Sequence, residues 1–180
     1  FEMRLLKNLE AHLVSFPVVT IHRISGRLCV FLKEGTDHDT MVACADAIKN
    51  IPGTARVSCG FKCERDLDEM TDAGIQAMAE SGTFASFKVH ARRNHTDFPV
   101  NSMEINQIVG GRLSDAYPNV KVQMKDPDLV VGIEVVQSAT YVYARSIPGI
   151  GGLPVGSSGT VVSLLSSGID SPVALWRIAR

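Results

Sequence analysis

The sequence predicts an α+β protein made of two units that each mix helices with strands, followed by the first strand, loop and helix of a third. Two observations carry this prediction. Segments with the apolar spacing of helices alternate with β-rich runs along most of the chain. A stretch rich in glycine and proline over residues 146–156 then interrupts both patterns, as a connection between domains does.

The first unit is predicted over residues 1–58. A helix over 1–13 places apolar residues on one face, and β-rich runs over 18–24 and 28–32 predict a hairpin that turns at Ser25 and Gly26. A second helix over 39–50, with an Asp or Thr cap, precedes a strand over 55–63. Helix, hairpin, helix and strand are the elements of a ferredoxin-like unit that lacks its first strand.

The second unit is predicted over residues 59–147. Its predicted helices span 67–81 and 102–116, and its predicted strands span 84–91, 120–124, 129–136 and 140–145. The apolar residues of the second helix are expected to face the core: Met103, Ile105, Ile108, Val109 and Leu113. Two glycines in this helix, Gly110 and Gly111, suggest close packing or a close approach of RNA.

Basic side chains concentrate in the second unit, although the whole chain has a net charge of only −1. The candidate RNA-binding residues are Lys88, His90, Arg92, Arg93, His95 and Arg112. The first three alternate along a strand and therefore share one face, while Arg93 and His95 continue the row into the next loop. Such a row can follow a phosphate backbone. A merely solvated strand face is the alternative.

An apolar run over residues 160–165, a small-residue loop over 166–171 and a helix opened by Pro172 predict a strand, a loop and a helix N-terminus. Loop N–H groups and the helix dipole favour an anion at such a place, which suggests a nucleotide phosphate. A Walker-type loop needs a lysine that reaches the phosphates, and no lysine occurs from Gly156 to Arg180.

The loop S-S-G-I-D-S resembles the S-G-G-x-D-S loop of the pyrophosphatase-loop ATPases. The resemblance implies ATP as cofactor, with cleavage between its α- and β-phosphates. It further implies a nucleotide site made of Leu164, Leu165, Ser166, Ser167, Gly168, Asp170 and Ser171. Asp170 would be the catalytic carboxylate and would bind Mg²⁺. Ser167 stands where the family has glycine, so a degenerate loop is the alternative.

The linker sequence G-I-G-G-L-P-V-G over residues 149–156, together with F-E-x-x-L-x-x-N-L over 1–9, closely resembles the corresponding sequences of the tRNA 4-thiouridine synthases. Residues 60–147 resemble a THUMP domain, an RNA-binding module of tRNA-modifying enzymes. The resemblance implies a linker over 148–158 and a truncated ATP-binding domain over 159–180. It implies tRNA and a persulfide-donating cysteine desulfurase as partners, a cytoplasmic location and a possible homodimer. A non-catalytic THUMP module with a degenerate loop is the alternative reading.

The remaining features are less specific. Cys59 and Cys63 form a C-x₃-C pair with no second pair at zinc spacing, so they are interpreted as reduced thiols. No run of about 18 apolar residues predicts a membrane span. A chain that opens at Phe1 instead of Met is expected to be part of a longer protein.

Overall fold

The computed structural model describes residues 1–24, 26–94 and 97–179. Its helices are α1 (Glu2–His12), α2 (His38–Lys49), α3 (Leu67–Ala79), α4 (Ser102–Ala116) and α5 (Asp170–Ala179). Its strands are β1 (Val18–Ile24), β2 (Arg27–Leu32), β3 (Arg56–Cys63), β4 (Ser86–Arg93), β5 (Lys121–Val122), β6 (Leu129–Val135) and β7 (Thr140–Pro148). The chain forms two compact units. The first comprises Phe1–Val57 with Ile147–Arg180, and the second comprises Ser58–Ser146. The predicted α+β class is confirmed.

The first unit contains α1, the antiparallel hairpin β1–β2 and α2. Gly26 lies in the hairpin turn with φ of 80°, a conformation that glycine adopts without steric cost; Ser25 of the predicted turn lies outside the described residues. The Asp37 carboxylate caps α2 by accepting a hydrogen bond of 2.8 Å from the Thr40 N–H. The buried core of this unit is small and consists of Leu9, Leu13, Cys44 and Ile51.

The glycine-rich stretch is hydrogen-bonded along the first unit where it begins. The N–H groups of residues 149, 150 and 151 donate to the carbonyls of residues 55, 49 and 54 over 2.8–3.0 Å. A Cβ on Gly149 would collide with the Thr54 carbonyl, so glycine is needed for this close approach. The stretch is therefore an ordered part of the first unit over these residues.

The second unit is built on a five-stranded sheet with the order β3-β7-β6-β4-β5. Strand β4 runs parallel to both β5 and β6, and β6 pairs antiparallel with β7. Helices α3 and α4 pack on one face of the sheet, where their apolar side chains and those of the strands form one core. The most deeply buried members of this core are Met70, Met78, Phe87, Ile105, Val109, Leu113, Val131, Ile133, Val135 and Val142.

Two side chains predicted for the core of α4 are exposed. Met103 is 70% exposed and Ile108 is 38% exposed, whereas Ile105, Val109 and Leu113 are fully buried. The buried three are spaced by four residues and form one narrow stripe, and Met103 lies in the first helical turn outside it. The two glycines differ as well, because a Cβ on Gly110 would lie 3.6 Å from Val89 while one on Gly111 would meet only open space.

The apolar run over residues 160–165 does not form the predicted strand. No described residue pairs with it, and Val162 and Leu164 are 92% and 90% exposed. A strand is defined by its hydrogen bonds to a neighbour, so an apolar β-rich segment stays irregular without one. The helix predicted after the loop is present as α5.

Candidate nucleic-acid interface

One face of the five-stranded sheet carries polar and charged side chains instead of a helical layer. Alternate residues of β4 point to the two faces, so Phe87, Val89 and Ala91 are buried while His90 and Arg92 are exposed. Lys88 shares the side of His90 and Arg92, is half-buried, and its Nζ donates to the Met124 carbonyl over 3.2 Å. We call the side with these three basic residues the open face, and the side packed on α3 and α4 the covered face.

The open face extends across the neighbouring strands through residues that the sequence analysis missed. Across the parallel pair, His90 lies opposite Gly132 and Arg92 opposite Glu134, and these in turn lie opposite Tyr143 and Tyr141 of β7. Cations at other positions of the same side are exposed: Lys62 on β3 and Arg145 on β7. The alternation of apolar and polar residues over 140–145 was the available signal, since it places Tyr141, Tyr143 and Arg145 together.

Tyr143 occupies a defined position at the centre of this face. A Cβ built on Gly132 would collide with the Tyr143 ring, so the ring lies directly over that glycine. The hydroxyl group donates to Glu134 Oε1 over 3.0 Å, and Glu134 is only 7% exposed. A second glycine, Gly60 on β3, also lies beside this tyrosine, because its Cβ would come 2.8 Å from the Tyr143 Cβ. The ring thus lies over Gly132, and Gly60 leaves room for the Tyr143 Cβ on the other side.

Arg93 and Arg112 do not join this row. Arg93 lies on β4 and one residue after Arg92, so it falls on the covered side, where its Nη1 donates to the Phe98 carbonyl over 2.7 Å. Arg112 lies on α4 and pairs with Asp68 over 2.7 Å. His95, also predicted here, lies outside the described residues.

Phe98 is part of the protein interior. It is 8% exposed, belongs to the core of the second unit, and the Arg65 guanidinium lies 5.5 Å from its ring centroid. Arg65 also pairs with Asp97 over 2.7 Å. Arg65 thus holds Asp97 and Phe98 in place, which leaves Phe98 unavailable to stack on a base.

The candidate phosphate loop is short, and serine side chains within it accept hydrogen bonds from its own backbone. The Ser166 N–H donates to Ser171 Oγ over 3.0 Å, and the Gly168 N–H is 3.3 Å from Ser166 Oγ. Asp170 begins α5. Asp126 is the only described non-glycine residue with positive φ, so Ser167 does not have the strained backbone that would require glycine. Leu164 and Leu165, expected to wall a nucleotide, are exposed.

Within the described residues, no three His, Cys, Asp or Glu side chains are placed to hold a metal ion together. None of the helices among those residues has the length and apolar character needed to cross a membrane. The four cysteines are thiols, and burial together with the carboxylates of Glu69, Glu64 and Asp66 raises the pKa of Cys63 to about 11.

The chain is similar to known proteins at two levels, a domain model and relatives that match along most of its length. The THUMP domain model matches residues 64–145, which lie within the second unit. A relative in Natranaerobius thermophilus, named "Probable tRNA sulfurtransferase", is 36% identical over 98% of this chain and 44% of its own length. A relative of the same name in Lactobacillus johnsonii is 38% identical over 96% of this chain and 42% of its own length.

A solved structure is similar along nearly the whole chain. It is a 4-thiouridine synthetase–RNA complex with bound ATP, 30% identical, with a TM-score of 0.82 over 99% of this chain and 45% of that protein. The chain thus spans somewhat less than half the length of the relatives it matches. The second unit thus contains a THUMP domain, and the chain is similar along nearly its whole length to proteins named tRNA sulfurtransferase and to a 4-thiouridine synthetase.

Proposed function

We propose that this chain is the tRNA-binding part of an ATP-dependent tRNA sulfurtransferase that forms 4-thiouridine, together with the start of its nucleotide site. The observation that carries the proposal is the row of Lys88, His90 and Arg92 on the open face. The match of this region to a THUMP domain and the RNA-bound structural relative support it.

The charge distribution on the open face favours a polyanion. Lys62 and Arg145 add positive charge to that of Lys88 and Arg92 on β4, while Glu134 is mostly buried and accepts a hydrogen bond from Tyr143. Phosphate contacts from such a surface supply affinity without sequence information and release counterions, so binding weakens as salt rises. RNA is therefore held here through its backbone, although the whole chain is nearly neutral.

The segment over residues 164–171 is proposed to hold the phosphates of ATP. Its small side chains leave room for an anion, since a Cβ even on Gly168 would meet only Ser166 Oγ at 3.5 Å. The hydroxyls of Ser166, Ser167 and Ser171, at the N-terminus of α5, are suitable donors to phosphate oxygens. ATP, when bound, supplies the adenylyl group that activates the uridine carbonyl oxygen.

Asp170 is the proposed Mg²⁺ ligand and catalytic carboxylate. Mg²⁺ commonly uses one or two protein carboxylates and completes its coordination with water and substrate phosphates. A single carboxylate at the start of α5 suits this pattern.

The sulfur is proposed to come from outside this chain. The Cys63 thiol has its pKa raised to about 11 by burial and nearby carboxylates, which is the reverse of what a sulfur-carrying nucleophile needs. We propose a cysteine desulfurase as the persulfide donor. A cytoplasmic location and a homodimer complete this proposal for the whole protein.

The alternative function is a non-catalytic THUMP module whose phosphate loop has degenerated. This alternative was suggested by Ser167, which stands where the family has glycine. The backbone conformation of Ser167 is ordinary, so backbone strain gives no reason to regard the loop as degenerate. We expect Ser167→Gly to change ATP affinity by less than about threefold in a calorimetric titration. A gain of tenfold or more would favour the degenerate loop.

Binding of unmodified tRNA across a salt series tests the RNA-binding role. We expect wild-type protein to bind tRNA, to bind it more weakly when the 3′ CCA end is removed, and to lose affinity as salt rises. The double variant Lys88→Ala/Arg92→Ala should bind weakly and with a shallower salt dependence. Arg112→Ala is the matched control, because its cation pairs with Asp68 off the open face. No binding at low salt, or equal losses in both variants, would contradict the proposal.

A further inference from the structure

The geometry of the open face points to a seat for one unpaired RNA base on the ring of Tyr143, and we propose this site as a deepening of the RNA-binding role. The proposal rests on the RNA-binding function proposed above and adds a contact that distinguishes single-stranded from double-stranded RNA. Phosphate contacts alone do not distinguish single strands from duplexes, whereas an aromatic platform does.

The Tyr143 ring is held in one position over the sheet without a ligand. One side lies over Gly132, where a Cβ would collide with ring atoms Cε2 and Cζ. The hydroxyl group donates to Glu134 Oε1 over 3.0 Å, which fixes the ring in its plane. A ring already held in place loses little conformational entropy when a second ring stacks on it.

The surroundings leave the outer side of this ring accessible to a flat partner. The side chain is half-buried, and its cross-strand neighbour Gly132 and its other neighbour Gly60 have no side chains to stand above the sheet. His90 lies opposite Gly132 on β4 and is exposed. Because Gly132 of β6 puts no side chain between Tyr143 and His90, a shallow, flat area lies there, and both of these rings can pack against a planar base.

The charges around the flat area select a nucleotide over other planar groups. Lys88 and Arg92 flank His90 along β4, so cations lie on the side from which a phosphate backbone would pass. A base within a duplex has both faces stacked and cannot use the ring, whereas an unpaired base can. The occupant that suits both ring and cations is therefore a nucleotide of a single-stranded segment.

The proposal differs from a purely structural role for Tyr143. An aromatic ring that covers a glycine on a neighbouring strand also stabilises a sheet, and that role alone would need no ligand. The structural role predicts that loss of the ring lowers thermal stability and leaves RNA preference unchanged. The base seat predicts a change in the preference for single-stranded over double-stranded RNA.

The test compares a fluorescent 12-nucleotide unstructured RNA with the same strand in a duplex. We expect Tyr143→Leu to weaken single-strand binding about tenfold, leave duplex binding unchanged, and leave the salt slope unchanged because no phosphate contact is lost. Tyr143→Phe keeps the ring and should retain most of the affinity. Equal single-strand affinity of Tyr143→Leu and wild type, or an equal loss for the duplex, would overturn the base seat.

A second measurement needs no variant and so does not depend on the folding of Tyr143→Leu. The same RNA with 5-iodouridine is irradiated on the wild-type protein, and the cross-linked peptide is identified by mass spectrometry. Cross-links at Tyr143 or His90 support the seat, and cross-links confined to other peptides refute it. If Arg92→Ala weakens binding while Tyr143→Leu does not, the RNA-binding role stands and only the base seat fails. If wild-type protein binds no RNA at low salt, the proposed function itself fails.

Discussion

The two faces of the five-stranded sheet come from the same strands and differ in almost every other respect. On the covered face, Val131 and Ile133 of β6 are fully buried against the core. On the open face of the same strand, Val130 is 37% exposed and Gly132 has no side chain at all. Apolar burial is confined to one side, where it stabilises the unit, so the other side can carry cations and an immobilised ring.

This difference separates folding from binding within single strands. Residues 87, 89 and 91 of β4 stabilise the fold, while residues 88, 90 and 92 are the candidates for RNA contact. Because the side-chain period of a strand is two, a shift of one residue would exchange the two sets. A substitution on one face can therefore be compared with a substitution on the other face of the same sheet.

The largest expected effect is on the covered face. Ile133→Ala removes a fully buried side chain and should lower the free energy of unfolding by about 2–5 kcal/mol. Val130→Ala, on the same strand but on the open face, should cost less than about 1 kcal/mol. Chemical denaturation followed by circular dichroism measures both. Similar losses in the two variants would mean that the open face is buried in solution.

The next effect concerns thiol chemistry on the covered face at the end of β3. Burial, then Glu69, Glu64 and Asp66, raise the pKa of Cys63 to about 11, so its thiol stays protonated until the pH approaches that value. At pH 8 we expect alkylation on the order of 100-fold slower than for an ordinary exposed thiol, with the rate rising up to about pH 11.

Ser58→Cys supplies the matched control for this measurement, because Ser58 lies on the same strand and is exposed. Peptide mapping after timed alkylation reads both thiols in one sample. The introduced thiol should react several times faster at pH 8 than at pH 7. A Cys63 rate that levels off near pH 9 would show that its thiol is not protected.

Much of this arrangement could be predicted from sequence because alternation is a local property. The period of two placed Lys88, His90 and Arg92 on one side without knowledge of the neighbouring strands. The same rule failed for Arg93 only because the strand was predicted to end at residue 91, whereas β4 continues to Arg93. Because the strand is two residues longer than predicted, the Arg93 side chain lies on the covered face and not in a loop.

Features that depend on strand pairing were beyond the sequence. The position of Tyr143 over Gly132 requires the register of β6 with β7, which no local pattern specifies. The run over residues 160–165 shows the converse case, since its composition is that of a strand and yet no described residue pairs with it. Composition predicts the tendency to form a strand, but a strand forms only when a neighbouring segment is available for hydrogen bonding.

The smallest expected effect separates two adjacent arginines. Arg92→Ala removes an exposed cation of the open face, so tRNA affinity should fall severalfold and the salt slope should decrease by about 1. Arg93→Ala removes the hydrogen bond to the Phe98 carbonyl, so it should lower stability by about 1 kcal/mol and leave the salt slope unchanged. Filter binding over a salt series and thermal unfolding measure the two quantities on the same samples. Since both variants lose one positive charge, they have the same net charge, and only the face of the sheet differs. If both reduce the salt slope equally, RNA senses the overall charge of the protein and the open face has no special role.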